Sequence, residues 1–142
     1  MSTLRKLGVD IVGNKPVIIV TGPPGSGFEE WSDGLGYPVY GPHRGNKAHW
    51  RDHPVQANEP IVLATPAPDA DAKEYWVREA RRFGFSPRIV VVMPPEANAI
   101  AAVCRDFGSP NDIQRARLGK SVKRWYAKYS PHPQEVIYRV NK

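Results

Sequence analysis

The residues Val17–Thr21 read VIIVT and run directly into the loop Gly22–Gly27, which reads GPPGSG. Two further apolar runs follow along the chain, Ile61–Thr65 (IVLAT) and Arg88–Met93 (RIVVVM). Short, continuously apolar runs are typical of strands that are covered on both faces of a parallel sheet. We therefore expect Val17–Thr21 to be a central strand that lies between the other two.

Two weaker runs bring the number of predicted strands to five. They are Tyr37–Tyr40 and Glu135–Val140. Because Pro38 cannot donate a ladder hydrogen bond, the first of them belongs at a sheet edge or in a loop.

Three helical segments separate the later strands. Asp71 with Glu74 has the spacing of a capping box, and Ser109 followed by Pro110 supplies an N-cap and a first-turn proline. A glycine follows each of the first two segments, as is common at helix ends. The predicted helices run from Asp71 to Arg82, from Glu96 to Phe107 and from Asn111 to Tyr129.

The alternation of strands and helices predicts an α/β fold. Right-handed crossovers place helices on both faces of the sheet, which gives a three-layer sandwich around a mainly parallel five-stranded sheet. The length of 142 residues suits a single domain that spans residues 1–142. Residues 28–60 are rich in Gly, Pro and His and show little periodicity, so we expect a long irregular excursion there with at most one short helix.

The loop Gly22–Gly27 matches part of the phosphate-binding template G-x-x-x-x-G-K-[ST], which follows a buried strand. Both glycines have the required spacing, but Phe28 stands where the template has lysine and Glu29 where it has serine or threonine. Backbone N–H groups of such a loop surround phosphate oxygens. The candidate phosphate-binding residues are Gly22, Gly25, Ser26 and Gly27.

The loop GPPGSG after the strand VIIVT is similar to the loop of P-loop kinases and related NTPases. The later order of an apolar strand, Pro94-Pro95-Glu96, a basic helix and a last strand resembles the small P-loop ATPase or kinase-like proteins that bacteriophages encode. The resemblance covers residues 16–27 and, more loosely, residues 61–142. It implies the strand order 2-3-1-4-5 and, for a phage-encoded protein, a place in the host cytoplasm.

The departures from the template bear on the chemistry. In P-loop enzymes the lysine reaches the β- and γ-phosphates, and the hydroxyl holds Mg²⁺. The third predicted strand also runs into Pro66 without an acidic residue that could hold the metal. Loss of one positioned cation costs on the order of 3–4 kcal/mol in the barrier, judged by analogous donor deletions. We therefore predict no catalytic residues, no resident cofactor and only weak binding of ATP or phosphate.

The net charge of +6 is concentrated at one end of the chain. Residues 1–110 hold 12 basic and 12 acidic side chains, whereas residues 111–142 hold eight basic and two acidic ones. This asymmetry favours an anionic ligand or partner, a nucleotide or a nucleic acid, at the C-terminal quarter.

The predicted third helix has two different faces. Apolar residues of one face recur at helical spacing and predict a core-facing stripe of Leu118, Val122, Trp125 and Tyr129. In P-loop kinases the corresponding region is an arginine-bearing lid over the phosphates. Basic residues of this kind can also follow a nucleic-acid backbone, with Tyr126 available for base stacking, or form an ordinary solvated face. The candidate lid or nucleic-acid-binding residues are Arg115, Arg117, Lys120, Lys123, Arg124 and Lys128.

Metal binding and membrane insertion have little support in the sequence. His49 and His53 have the i, i+4 spacing of zinc ligands, with His43 nearby, but glycine, proline and three basic residues interrupt the stretch. We interpret it as a helical turn that packs Trp50 inward, and we predict no metal site. No run approaches 18 apolar residues, and the single Cys104 excludes an internal disulfide. The expected location is the cytoplasm.

Three functional hypotheses follow from these patterns. The first is a non-catalytic P-loop-fold protein of phage origin that binds a phosphate-bearing ligand or a macromolecular partner, which includes another protein. The second is a nucleic-acid-binding protein that uses the basic helix over residues 111–130. The third is a divergent active nucleotide kinase or NTPase in which Lys120 or Lys123 replaces the loop lysine.

Overall fold

The computed structural model describes residues 3–9, 15–42 and 60–139. Five strands form one sheet in the order β2-β3-β1-β4-β5, and every neighbouring pair is parallel. The predicted sheet and its order 2-3-1-4-5 are therefore confirmed. The strands are β1 (Pro16–Thr21), β2 (Val39–Tyr40), β3 (Ile61–Ala64), β4 (Ser86–Met93) and β5 (Glu135–Arg139).

The strand β1 lies at the centre of the sheet, as its unbroken apolar run predicts. All six of its residues are buried. Ile19 pairs with Leu63 of β3 on one side and with Ile89 of β4 on the other. The run that contains Pro38 becomes the two-residue edge strand β2, which pairs only with β3 among the described strands.

Five helices accompany the sheet in the described residues. Side chains of α1 and α2 join one apolar cluster with Ile18 and Val20, and side chains of α3 and α5 join another with Val17 and Ile19. Because successive residues of a strand point to opposite faces, these clusters lie on the two sides of the sheet, and the three-layer sandwich is confirmed. The helices are α1 (Thr3–Lys6), α2 (Phe28–Asp33), α3 (Ala70–Arg82), α4 (Glu96–Phe107) and α5 (Asp112–Lys128).

The predicted N-caps of α3 and α5 are wrong by two residues. The side chain of Asp69, not Asp71, caps α3 by accepting a hydrogen bond from Ala72 N–H at 3.2 Å. A tertiary contact favours this earlier start, since Ala70 N–H donates to Ser130 Oγ at 2.7 Å. The helix α5 likewise begins after Asn111 rather than Ser109. Its capping box joins the side chains and backbones of Asn111 and Gln114 reciprocally.

The predicted C-terminal ends of the helices agree with the structure better than the predicted N-caps do. After α3, Phe85 N–H donates to the Ala80 carbonyl at 2.9 Å and Gly84 N–H to the Arg81 carbonyl at 3.0 Å. This is the Schellman pattern, and Gly84 adopts the left-handed conformation with φ 86° that the pattern requires. The end of α4 at Phe107, directly before a glycine, is also as predicted.

Two parts of the chain were less predictable. The short helix α1 was not expected, although its Leu4 is fully buried in the cluster with Ile18. Of the irregular excursion predicted over residues 28–60, with at most one short helix, the described part holds the short helix α2 and the strand β2. The remainder lies outside the described residues. In the described ranges no helix combines the length and apolar character needed to cross a membrane.

Candidate functional site

The loop Gly22–Gly27 connects β1 to α2 at the carboxyl edge of the sheet, where parallel α/β folds bind ligands. Ser26 N–H donates to the Pro23 carbonyl at 3.1 Å, which closes a tight turn. Gly25 and Gly27 both have left-handed backbones, with φ 81° and 74°. Left-handed residues that alternate with others in this way are typical of backbone concavities that bind anions.

Gly25 also fits the loop against α4. A Cβ atom at this position would lie 2.2 Å from the Ala99 carbonyl oxygen and 3.0 Å from a methyl carbon of Val103. Only glycine allows this approach together with a positive φ. The helix α4 therefore lies beside the loop and forms a second wall of the site.

A cleft of about 860 Å³ opens between the loop, the start of α2 and α4. All four predicted phosphate-binding residues line it. The side of the cleft formed by α4 contributes Asn98, Arg105 and small residues such as Ala101. Arg105 is the single cationic residue of the described lining, and the acidic ones are Glu29, Glu30 and Asp106.

Phe28 occupies the position of the loop lysine and borders the cleft without supplying a cation. Its side chain is 9% exposed and belongs to the apolar cluster with Leu4 and Val20. Its N–H donates to Ser26 Oγ at 3.3 Å. The first residue of α2 is thus used for packing, and its amide already has a partner within the loop.

The end of β3 has no carboxylate aimed at the cleft. Thr65 and Pro66 follow β3, and Ala67 N–H donates to Thr21 Oγ1 at 2.8 Å, which ties this segment to the end of β1. The nearest acid along the chain is Asp69, and its side chain caps α3. The lining of the cleft in this region consists of Pro66.

The six basic residues predicted on α5 all lie on its surface. Each is exposed, none lines the cleft, and none forms a salt bridge with an acidic residue in the described part of the chain. The apolar stripe faces inward as predicted, with Val122 fully buried and Trp125 5% exposed. The role of the six basic residues as lid or nucleic-acid-binding residues stays a prediction.

Tyr126 corrects one expectation about α5. It is half-buried, packs against the cluster of α3 and α5, and its hydroxyl donates to the carbonyl oxygen of Pro94. Burial, reinforced by the negative charge of Glu96, raises the pKa of Tyr126 to about 12. The ring is engaged between α5 and the cleft wall and is not available for stacking on a base.

A buried polar cluster between α3 and β5 was not predicted from the sequence. Lys73 is fully buried, and its Nζ donates to Glu135 Oε1 at 2.6 Å and to the Ser130 carbonyl at 2.8 Å. His132 joins it through its N–H, which donates to Glu135 Oε1 at 2.7 Å. The i, i+4 spacing from Lys73 to buried Val77 is the one signal that could have placed this lysine on the inner face of α3.

The histidine stretch around His49 lies outside the described residues. In the described part of the chain, no group of three or more His, Cys, Asp or Glu side chains is arranged to hold a metal ion.

Solved structures with the same architecture include a gluconokinase from Sinorhizobium meliloti 1021. The two chains are 12% identical, the alignment covers 92% of this chain and 85% of the gluconokinase, and the TM-score is 0.58. The crystal structure of a protein named APE1195 aligns with a TM-score of 0.53 and 17% identity, over 91% of this chain and 88% of that one. No protein-family model and no curated protein sequence matches the chain. The chain has a P-loop kinase-like fold.

Proposed function

We propose that this protein binds a phosphate-bearing ligand, such as a nucleotide, in the cleft beside Gly22–Gly27 and does not transfer its phosphoryl group. One observation carries the proposal. The loop keeps its glycine conformations and its open cleft, whereas the side chain at the lysine position, Phe28, is buried in the core.

The support for binding is local geometry. Gly25 and Gly27 have the left-handed backbones that are typical of anion-binding loops, and both line the cleft. Arg105 lines the opposite wall and forms no salt bridge with a described residue, so its guanidinium is available to a phosphate. Arginine suits this role because its planar fork can donate two hydrogen bonds to one phosphate.

The same lining argues for low affinity. The described lining contains three carboxylates and one guanidinium, and Phe28 N–H already donates to Ser26 Oγ. Phosphate must therefore approach a cleft whose described lining has a net negative formal charge and fewer free donors than the template provides. We expect dissociation constants of about 1 mM for ATP, which corresponds to about −4 kcal/mol.

The support for the absence of transfer is the missing chemistry. The cation that would stabilise the transferred phosphoryl group is replaced, and the residue after it is Glu29 rather than a hydroxyl. An active enzyme that uses Lys120 or Lys123 would need that lysine in the cleft, and neither lines it in the described structure. The resemblance to phage proteins adds to the proposal that the protein is phage-encoded, which the genes beside its own would test.

The experiment is a titration of ¹⁵N-labelled protein with ATP, with and without Mg²⁺, followed by amide chemical shifts. Shifts at Gly25, Gly27 and Arg105 that saturate with a millimolar constant are expected. Arg105→Ala should weaken binding about fivefold, the effect of losing one exposed ion pair. Arg117→Ala removes the same charge from α5 and should leave the constant unchanged. Shifts confined to α5, or no shift up to about ten times the expected constant, contradict the proposal.

A further inference from the structure

We propose that one face of α5 binds the sugar-phosphate backbone of a nucleic-acid duplex. This basic face consists of Arg117, Lys120, Arg124 and Lys128, all of them exposed. The inference is independent of the cleft, because none of these residues lines it.

The four basic residues form a straight row. At about 100° of rotation per residue they fall within an arc of about 80°, so they share one side of the helix. From Arg117 to Lys128 the row is about 16 Å long at 1.5 Å per residue. A duplex presents one phosphate per strand for about every 3.4 Å of its axis, so the row spans enough backbone for four contacts.

The charge of α5 is strongly one-sided. Six of its residues are basic, and its single acidic residue is Asp112 in the first turn. A surface helix selected only for solubility normally mixes both signs. In the described structure no acidic side chain forms a salt bridge with the basic face, so its charge is left for an external anion.

The opposite side of α5 holds the row rigid. Val122 is fully buried, Trp125 belongs to the apolar cluster against the sheet, and Gly119 lies next to Ile100 of α4. Because the helix is already fixed, binding a phosphate backbone orders only the four basic side chains. Preorganisation of this kind lowers the entropic cost of association.

The orientation of the aromatic residues favours a duplex over a single strand. Proteins that bind single strands stack bases on exposed aromatic rings. On α5, Trp125 is buried and stacks on Tyr129, with ring centres 5.6 Å apart, while Tyr126 bonds to Pro94. The helix therefore presents cations without a stacking platform, which suits contact with the backbone of a paired helix.

The test is fluorescence anisotropy with a labelled DNA duplex over a salt series. Four phosphate contacts predict a log–log slope of about −3.6 for the binding constant against salt concentration. The variant Lys120→Ala/Arg124→Ala should reduce the magnitude of that slope by about 1.8 and weaken binding alike for unrelated sequences. A single strand of the same length should bind more weakly than the duplex.

The matched control is Lys6→Ala/Arg81→Ala, which removes the same net charge from exposed positions on α1 and α3. It should leave the slope unchanged. The proposal is overturned if the control reduces the magnitude of the slope as much as the variant does, if the duplex does not bind at low salt, or if the single strand binds more tightly. Preferential binding to vesicles of anionic lipid over the duplex also overturns it. Because Arg105→Ala removes the cleft cation alone, it should not affect duplex binding, so the two proposals can fail separately.

Discussion

Lys73 Nζ lies 2.6 Å from Glu135 Oε1, and the two side chains are 0% and 3% exposed. The ammonium group also lies 4.4 Å from the ring centre of Tyr129. The second carboxylate oxygen of Glu135 accepts a hydrogen bond from the Tyr129 hydroxyl. One buried ion pair thus joins α3 to β5 and to the C-terminal end of α5, which carries the basic face.

Removing one partner of this pair should be costly. Lys73→Met leaves the Glu135 carboxylate buried without its cation, and we expect the free energy of unfolding to fall by about 3–5 kcal/mol. The double variant Lys73→Met/Glu135→Gln should lose less unfolding free energy, because glutamine is neutral and still accepts hydrogen bonds. Urea denaturation measures both.

The exposed pair Arg78–Glu74 provides the control for that measurement. Its side chains are 78% and 35% exposed at a separation of 3.0 Å. Arg78→Ala should cost no more than about 0.5 kcal/mol. If Lys73→Met costs as little, the buried pair has no special role in stability.

A second prediction concerns alkaline pH. Burial raises the pKa of Tyr126 from 10.0 to about 12, and burial together with Glu135 raises the pKa of Tyr129. As the pH rises through 10.0 the unfolded chain loses these protons before the folded chain does. The unfolding free energy should therefore hold below pH 10.0 and fall as the pH rises toward 12.

Urea denaturation over a pH series measures this loss. Burial also raises the pKa of Tyr40. Tyr126→Phe removes one of the three groups, so the stability of the variant should fall less steeply than that of the unmodified protein over the same range. A fall of equal steepness in the variant would mean that Tyr126 does not contribute.

A third prediction is that the protein does not turn over ATP. Phosphate release from Mg-ATP should equal the rate without protein, because the transferred group meets no loop lysine and no metal-holding hydroxyl. Lys120→Ala and Lys123→Ala should change nothing. Micromolar ATP affinity, or turnover that either substitution abolishes, would instead identify an enzyme in which α5 supplies the cation.

A fourth prediction compares two glycines with similar backbone angles. Gly25→Ala places a Cβ 2.2 Å from the Ala99 carbonyl oxygen, whereas Gly84→Ala, at φ 86°, meets no atom within 4 Å. Gly84→Ala should cost about 1 kcal/mol through its left-handed backbone alone. Gly25→Ala should cost about 1–3 kcal/mol more, because α4 has to shift. Equal losses in thermal or urea denaturation would show that the loop does not depend on its contact with α4.

The sheet could be predicted from the sequence because its central strands are covered on both sides. In a protein of this size, an unbroken apolar run such as Val17–Thr21 is stable in few positions other than a strand that is covered on both faces. The observed strand begins one residue earlier than predicted. The strand order came from the resemblance to P-loop kinases, since the runs themselves do not specify which neighbours they have.

The cleft was only half predictable. The loop residues are contiguous, so the template found them, but Arg105 lies 78 residues beyond Gly27 on a helix whose direction depends on packing. No local pattern separates Arg105 from any other arginine in the last turn of a helix. The N-cap at Asp69 was missed for a similar reason. Ser130, which is distant along the chain, accepts a hydrogen bond from the N–H of the next residue, Ala70.

The burial of Phe28 also restricts how this protein can evolve. A lysine at position 28 would remove an aromatic ring from the cluster that contains Leu4 and Val20 and would bring an ammonium group toward it. Loss of a buried phenylalanine alone costs about 3–5 kcal/mol, a large share of the 5–15 kcal/mol that keeps a domain folded. A hydroxyl at position 29 gives no benefit without that lysine. The lysine substitution therefore costs stability and the hydroxyl substitution alone brings no gain, so packing of Phe28 in the core opposes a stepwise route to a complete loop.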